Sequence, residues 1–228
     1  NTHVISHDGK IMALEEGHWP FMLSNELETI GPNNYDGKLA GPMTAHPKIC
    51  PETGELLAFS YGMPEPYLTY LRISAAGELL QQEPITVPGA TMIHDFNITR
   101  NHVIFMDLPA VWNFEGMATT GLPIVWDESY GARLGVMPRN GTDKDMTWYE
   151  IDPCYVFHPL NAYEDGNKTI IDVCRMDDTM KPDSSSPPML YRWEIDQAKG
   201  QVTETQLDDR MVDFPRVCDT VVGLKHQY

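Results

Sequence analysis

The sequence predicts an all-β fold of repeated antiparallel hairpins, and two observations favour this class. Seventeen glycines and eighteen prolines are spread over the 228 residues. Between them lie short alternating or β-rich runs instead of the apolar stripes of amphipathic helices. In addition, one element recurs: an apolar strand, a polar turn that closes on glycine, and a second strand. We therefore expect successive hairpins and no long amphipathic helix.

Seven segments carry the strand pattern most clearly: residues 10–14, 56–61, 67–73, 102–107, 147–151, 169–175 and 190–195. The recurring turn closes on Gly54, Gly77 and Gly200. Each of these glycines can adopt the left-handed backbone that a tight hairpin requires, at no steric cost. Hairpins that repeat every 40 to 50 residues or so are typical of β-propeller blades, of which a propeller has about 4 to 8. The pattern alone also fits a β-sandwich.

Two stretches predict long connections. Residues 177–188 are polar and rich in serine and proline, which predicts a mobile surface loop. Residues 112–130 combine aromatic and aliphatic side chains with glycine and proline. An apolar loop of this size usually packs against another apolar surface. It could pack on the core, form the wall of an apolar substrate tunnel, or touch a membrane.

Charge and composition exclude several classes of function. Sixteen Lys and Arg against 33 Asp and Glu give a formal net charge of −17, so most of the surface would repel a phosphate backbone or an anionic membrane. Nucleic acid is therefore not an expected partner. The longest apolar runs end after a few residues, whereas a spanning helix needs about 20. The four cysteines form no CxxC pair, which favours reduced thiols in an intracellular, cytoplasmic protein.

Three of the eight histidines, His46, His94 and His158, stand among apolar residues that predict burial. His46 and His94 are 48 residues apart, and His94 and His158 are 64 residues apart. Each spacing is close to the length of one propeller blade. Radial repetition of the blades would then place each histidine on an inner strand and bring the three side chains to one point. Neutral imidazoles suit a divalent transition metal such as iron and would leave positions open for oxygen. Taken singly, each histidine is better explained as a core residue hydrogen-bonded to a backbone carbonyl, whereas three in matching contexts favour the metal site.

Several ordered motifs resemble those of the carotenoid cleavage oxygenase family, which includes carotenoid-, apocarotenoid- and stilbene-cleaving dioxygenases and retinoid isomerohydrolases. The motifs are AHPK at 45–48, MIHDFNIT at 92–99, VIFMDLP at 103–109, FHPLNAY at 157–163 and DFPR at 213–216. The resemblance runs essentially from end to end. It implies a seven-bladed β-propeller with Fe(II) held by four histidines, an apolar tunnel to the iron, and O2-dependent cleavage of a conjugated carbon–carbon double bond.

By the same resemblance, His46, His94 and His158 would be the first three iron ligands. The family's fourth histidine would lie beyond the end of this chain, because His226 stands in a different motif. Glu16 and Asp213 fall where the family places carboxylates that accept hydrogen bonds from ligand histidines. Since Asp213 stands where the family has glutamate, we expect it to reach its histidine only through water or a backbone shift.

Family members are longer on both sides, so we interpret residues 1–228 as a single domain that holds part of the propeller. We expect this fragment to be inactive alone, because an open propeller leaves sheet edges unpaired. The predicted substrates are an apolar polyene, of the carotenoid or apocarotenoid type, and O2.

Three alternatives stay open at this point. Phenolic stilbene cleavers of the family typically carry lysine immediately before the carboxylate that corresponds to Glu16, whereas this chain has Glu15, which disfavours a phenolate. A stilbene-cleaving dioxygenase is nevertheless the nearest alternative. An inactive propeller that serves as a binding module is another, and metal content would separate it from an enzyme. Peripheral contact with a membrane also stays open.

Overall fold

The computed structural model describes residues 2–115, 117, 121, 123–181 and 184–227. These residues form eighteen β-strands and three 3₁₀ helices of three residues each. They group into two compact units, Asn1–Thr86 and Val87–Tyr228. No helix among the described residues is long and apolar enough to cross a membrane.

The first unit contains two four-stranded antiparallel sheets in which each strand pairs with the next along the chain. The strands of the first sheet are β1 (His3–His7), β2 (Lys10–Leu14), β3 (Phe21–Leu23) and β4 (Thr29–Pro32). Those of the second are β5 (Lys48–Ile49), β6 (Leu56–Tyr61), β7 (Leu68–Ile73) and β8 (Leu79–Ile85).

The second unit contains two further four-stranded antiparallel sheets and one inserted hairpin. The strands of the third sheet are β9 (Asn97–Ile98), β10 (His102–Asp107), β13 (Arg133–Pro138) and β14 (Thr147–Glu150). The hairpin between β10 and β13 is formed by β11 (Ala110–Trp112) and β12 (Ile124–Trp126). The fourth sheet contains β15 (Tyr155–Asp165), β16 (Lys168–Met176), β17 (Met189–Asp196) and β18 (Gln201–Met211). The 3₁₀ helices are Glu128–Tyr130, Asp143–Asp145 and Asp219–Val221.

The all-β prediction is confirmed, and each of the seven predicted strands agrees with an observed strand to within one residue at either end. The three turn glycines adopt the left-handed backbone, with φ of 70° at Gly54, 75° at Gly77 and 67° at Gly200. Four-stranded antiparallel sheets whose strands follow in chain order are the form of propeller blades. Seven blades, and a single domain over residues 1–228, stay predictions.

Burial differs between the strands of a sheet. In the fourth sheet, residues 169–175 of β16 are all buried, whereas β18 alternates between half-buried and exposed positions along much of its length. A strand covered on both faces appears as a continuous apolar run, and a strand with one solvated face alternates. The second unit buries Leu134, Tyr155 and Trp193 in its core, and the first unit has a core of its own.

The connection at 177–188 is mostly half-buried and is anchored by side-chain contacts, which differs from the mobile surface loop that its composition predicts. Lys181 Nζ lies 3.2 Å from Glu128 Oε1 and 3.1 Å from Asp178 Oδ2. The same ammonium lies 5.1 Å from the ring centroid of Trp126, in a cation–π arrangement. Residues 182 and 183 of this prediction lie outside the described residues.

The apolar stretch at 112–130 has two faces. Ile124 and Trp126 of β12 pack against the core of the second unit. Phe114 and Met117, in contrast, are 55% and 50% exposed. Core packing thus accounts for part of the stretch, while 116, 118–120 and 122 lie outside the described residues.

Candidate metal site

His94 lies in an extended segment that leads into β9. Two backbone hydrogen bonds tie this segment to β11: Met92 N–H donates to Ala110 O at 2.8 Å, and Trp112 N–H donates to Ala90 O at 3.0 Å. From the neighbouring sheet, the Tyr155 hydroxyl donates to Met92 O at 3.2 Å. The backbone that carries His94 is therefore held from two sides.

His158 lies in β15, at a β-bulge. Val156 pairs with Arg175 and Pro159 pairs with Val173, so two residues of β15 oppose one residue of β16. Proline cannot donate to the ladder, which favours an irregularity at this point. A bulge changes the direction of the side chains that it carries, and His158 is one of them.

The second unit brings His94 and His158 together. Their ring centroids are 5.1 Å apart and the rings are nearly perpendicular, at 82°. Aromatic side chains surround the pair: Phe157 contacts His94 edge-on at 5.4 Å, and Phe214 lies 4.4 Å from the His158 ring. Both histidines are half-buried. Two imidazoles thus share one apolar environment.

Asp213 orients the His158 ring directly. His158 Nδ1 donates to Asp213 Oδ1 at 2.9 Å, and the same oxygen accepts the backbone N–H of Phe214 at 2.8 Å. We expected a water-mediated contact or a backbone shift at this position. The structure shows direct contact, and the chain turns at Phe214 with φ of 52°. With Nδ1 as the donor, the neutral ring keeps Nε2 as its lone-pair nitrogen, which is the tautomer that a metal ligand needs.

His46 belongs to the first unit. It lies just before β5, between the buried Ala45 and Pro47. Its backbone N–H donates to Thr44 Oγ1 at 3.0 Å, and its ring centroid is 6.1 Å from that of His3. The prediction that all three histidines lie on inner strands is wrong for His46 and His94. His46 lies two residues before β5 and His94 three residues before β9, each ahead of the first strand of its sheet.

The two neighbouring glutamates of the first unit have different partners. Glu16 accepts a hydrogen bond from the Tyr61 hydroxyl at 2.5 Å. Glu15 accepts the Gly17 backbone N–H at 2.7 Å and is also bonded to His18 Nδ1. The Gly17 hydrogen bond, followed by the contact with His18, lowers the pKa of Glu15. Glu15 is therefore a carboxylate at neutral pH.

Sequence reasoning missed three side chains that support these histidines or glutamates: Tyr61, Tyr155 and Phe214. Two are tyrosines in buried strands, where a hydroxyl must find a partner, so their position in an apolar run is a usable signal. Phe214 gives no such signal, because phenylalanine rarely adopts a positive φ. The donor chemistry of the assembled pair fits a divalent transition metal, since imidazole nitrogens are suitable ligands for iron, zinc and copper.

Comparison with known proteins agrees with this arrangement. The whole of residues 1–228 matches the model of the family described as retinal pigment epithelial membrane protein. The chain is 36% identical over 278 residues to a carotenoid cleavage oxygenase of Mycobacterium tuberculosis, and the match covers 100% of this chain and 56% of that protein.

Two solved structures are similar to the chain over nearly its whole length. A lignostilbene dioxygenase of Pseudomonas brassicacearum has a TM-score of 0.89 and 32% identity, with 99% of this chain and 51% of that chain covered. The cobalt-substituted ACO of Synechocystis has a TM-score of 0.85 and 27% identity, with 99% and 52% covered. The chain thus spans about half the length of the proteins that it matches. It belongs to the carotenoid oxygenase family whose model is described as retinal pigment epithelial membrane protein.

Proposed function

We propose that the whole protein is a non-haem Fe(II)-dependent dioxygenase that uses O2 to cleave a conjugated carbon–carbon double bond of a carotenoid or apocarotenoid, giving carbonyl products. The observation that carries the proposal is the pair of perpendicular imidazoles, His94 and His158, one of which is held by a carboxylate. Family membership and the name of the mycobacterial relative support it.

In this proposal, His46, His94 and His158 supply three ligands of the metal. Each is half-buried and offers one ring nitrogen, and as a group they could hold a metal ion. Asp213 and Glu16 would orient ligand rings by accepting their second N–H. The bond from His158 to Asp213 is one such contact. Bound Fe(II) would supply the position at which O2 is activated. The fourth ligand is not assigned within residues 1–228.

The chain's own side chains would bind the substrate by apolar contact and exclude water. Phe157 and Phe214 present aromatic rings beside the two histidines. Aromatic surfaces give a conjugated polyene a large contact area, and the proposed reaction needs no side-chain acid or base. We also propose that the protein is cytoplasmic. It would contact a membrane peripherally through the exposed side chains of Phe114 and Met117.

A hydroxylated stilbene is the second candidate substrate, because the P. brassicacearum neighbour is named as a lignostilbene dioxygenase. The charge of Glu15 favours the polyene. Its pKa is lowered by the hydrogen bond from Gly17 and by His18, so it stays anionic and would repel a phenolate. An uncharged polyene needs no charged partner at that position.

Metal analysis and paired substrate assays test the proposal. We expect the whole protein to bind about one iron per chain and to cleave an apocarotenal faster than a hydroxylated stilbene. A Glu15→Lys variant should gain stilbene cleavage, whereas Glu15→Gln, which only removes the charge, should gain less. Faster turnover of the stilbene by the wild-type protein would overturn the polyene assignment. A folded protein without bound metal or turnover would favour the binding module.

A further inference from the structure

Asp107 ends β10 and is completely buried, with 0% of its surface exposed. Three side chains donate hydrogen bonds to its carboxylate. Thr91 Oγ1 lies 3.2 Å and the Tyr130 hydroxyl 2.9 Å from Oδ1, and Arg133 Nε lies 2.9 Å from Oδ2. Burial raises the pKa of Asp107, while Arg133 acts in the opposite direction. A buried acid of this kind persists only where its hydrogen bonds compensate for lost hydration.

Each donor belongs to a different element. Thr91 lies three residues before His94, in the extended segment of the candidate site. Tyr130 ends the 3₁₀ helix that follows β12, and its hydroxyl also lies 3.4 Å from Gly89 O. Arg133 begins β13, and its guanidinium lies 3.9 Å above the ring of Trp148. Asp107 therefore joins the 89–94 segment to the third sheet and to the inserted hairpin.

Stability alone is a weak reason for such an arrangement. Replacing a buried ion pair with apolar side chains of similar volume is often neutral or stabilising. Buried polar groups can instead specify one geometry, because every alternative leaves a donor or acceptor unpaired. Here the geometry specified is that of the backbone just before His94, where the Thr91 hydroxyl donates to Asp107. The Tyr130 hydroxyl, whose one proton goes to Asp107, lies 3.4 Å from Gly89 O in the same segment.

We propose that Asp107 is a positioning residue: through Thr91 and Tyr130 it fixes the 89–94 segment that presents the His94 imidazole. The consequence for metal binding rests on the proposed function, whereas the fixing of the segment does not. A ligand held in one direction does not have to be ordered when the metal binds, so its affinity for the metal is higher.

The test uses the whole protein and a matched pair of substitutions. Thr91→Val removes one hydroxyl and keeps the branched shape, and Thr91→Ser keeps the hydroxyl. Asp107→Asn removes the charge of the acceptor. As a control for loss of a buried acid, Asp172→Asn changes a carboxylate with 0% exposure that binds Arg192 Nε at 2.7 Å and Nη2 at 2.9 Å in the fourth sheet.

Two readouts are compared: hydrogen–deuterium exchange of residues 89–94 in the metal-free protein, and Co(II) affinity. In Thr91→Val and Asp107→Asn we expect exchange at Met92 to be faster by about 10-fold or more, and Co(II) affinity to fall about 10- to 100-fold, the range seen when supporting partners of ligands are lost. Thr91→Ser should retain most of both properties. Asp172→Asn should leave exchange in 89–94 unchanged.

The outcomes separate this inference from the proposed function. Unchanged hydrogen–deuterium exchange at Met92 in Thr91→Val would overturn the inference, whether or not the metal affinity changes. The Thr91→Val variant keeps this test decisive even if Asp107→Asn does not fold. Equal effects of Asp172→Asn on the same segment would overturn it as well. If the segment loosens in Thr91→Val but the wild-type protein binds no metal, the inference is upheld and the proposed function fails.

Discussion

Two histidine–carboxylate pairs in the second unit share the same hydrogen bond but have different surroundings. His158 Nδ1 bonds Asp213 Oδ1 at 2.9 Å, and His102 Nδ1 bonds Glu164 Oε1 at 2.8 Å. The two histidine side chains are similarly shielded, with 15% and 23% of their surface exposed. The local contact alone therefore cannot distinguish them.

The other contacts of each carboxylate differ. Glu164 also accepts hydrogen bonds from the Thr99 hydroxyl at 2.5 Å and from the side-chain amide of Asn101 at 2.6 Å. Together with His102, these donors attach the turn between β9 and β10 to β15, which is a structural task.

His158, by contrast, faces a second imidazole, that of His94, and the ring of Phe214. A carboxylate behind a histidine therefore does not by itself indicate a metal ligand. The second imidazole in front of it carries that information.

The largest difference is expected when each histidine is removed. His158→Ala should reduce metal affinity by at least about 100-fold, because a direct ligand and its oriented lone pair are lost. His102→Ala should keep the full metal content and lower the free energy of unfolding by about 1–3 kcal/mol, since Glu164 loses a donor. Metal analysis and urea unfolding of the whole protein measure both quantities. Equal metal loss in the two variants would erase the distinction.

The carboxylates should show a smaller difference in the same direction. Asp213→Asn is expected to weaken metal binding about 10- to 100-fold, because an amide orients the ring less well and no longer raises its basicity. Glu164→Gln, the matched change in the other pair, should leave metal affinity within a factor of about 3, because His102 is not one of the proposed metal ligands. Titration with Co(II) compares them. A Glu164→Gln effect as large as that of Asp213→Asn would contradict the assignment.

The sequence predicts the strands well because their causes are local. Apolar residues alternate or run continuously between turns, and the turn glycines can take the positive φ that the hairpins need. The bulge at His158 also has a local signal, since Pro159 cannot donate to β16. The strands, the turn glycines and the bulge can therefore be predicted, because their causes lie within one hairpin.

The candidate site is less predictable because its geometry depends on distant contacts. His94 takes its position from hydrogen bonds to β11 and Tyr155, and no pattern near His94 indicates them. Asp213 reaches His158 because the chain turns at Phe214 with a positive φ, a conformation that phenylalanine seldom adopts. The sequence therefore predicts which residues belong to the candidate site, but it does not predict the distant contacts that hold them in place.

The structural role of Glu164 can be tested by pH. Burial works to raise its pKa, but the hydrogen bonds from Thr99, His102 and Asn101 outweigh it, so the net shift is downward from 4.5. A carboxylate with a lowered folded-state pKa stabilises the fold above its unfolded value and loses this contribution as pH falls through the folded value. Wild type should thus exceed Glu164→Gln in unfolding free energy by about 1.5–3 kcal/mol at pH 7.

That advantage should shrink as the pH falls below 4.5, the ordinary value for glutamate. Urea unfolding of the metal-free protein at pH 7, 5 and 3 or so measures it, in about the range where carboxylates titrate. A difference between the two proteins that is the same at every pH would mean that the charge of Glu164 contributes nothing to the pairing with His102.

The smallest expected effect concerns the backbone that brings Asp213 to His158. Phe214 has φ of 52° and is 74% exposed. A left-handed backbone costs an ordinary L-residue about 1–2 kcal/mol, whereas asparagine tolerates it better. Phe214→Asn should therefore keep the turn and change the free energy of unfolding by less than about 1 kcal/mol, toward stabilisation.

Leu27→Asn, with φ of 65° and 67% exposure in the first unit, is the matched control without a histidine. We expect similar stability changes in both variants and Co(II) affinity within about 3-fold of wild type, because the bond from His158 to Asp213 survives. If Phe214→Asn instead weakens Co(II) binding as much as Asp213→Asn does, the aromatic ring and not the carboxylate alone orients His158, and the difference between the two histidine pairs lies in their aromatic neighbours.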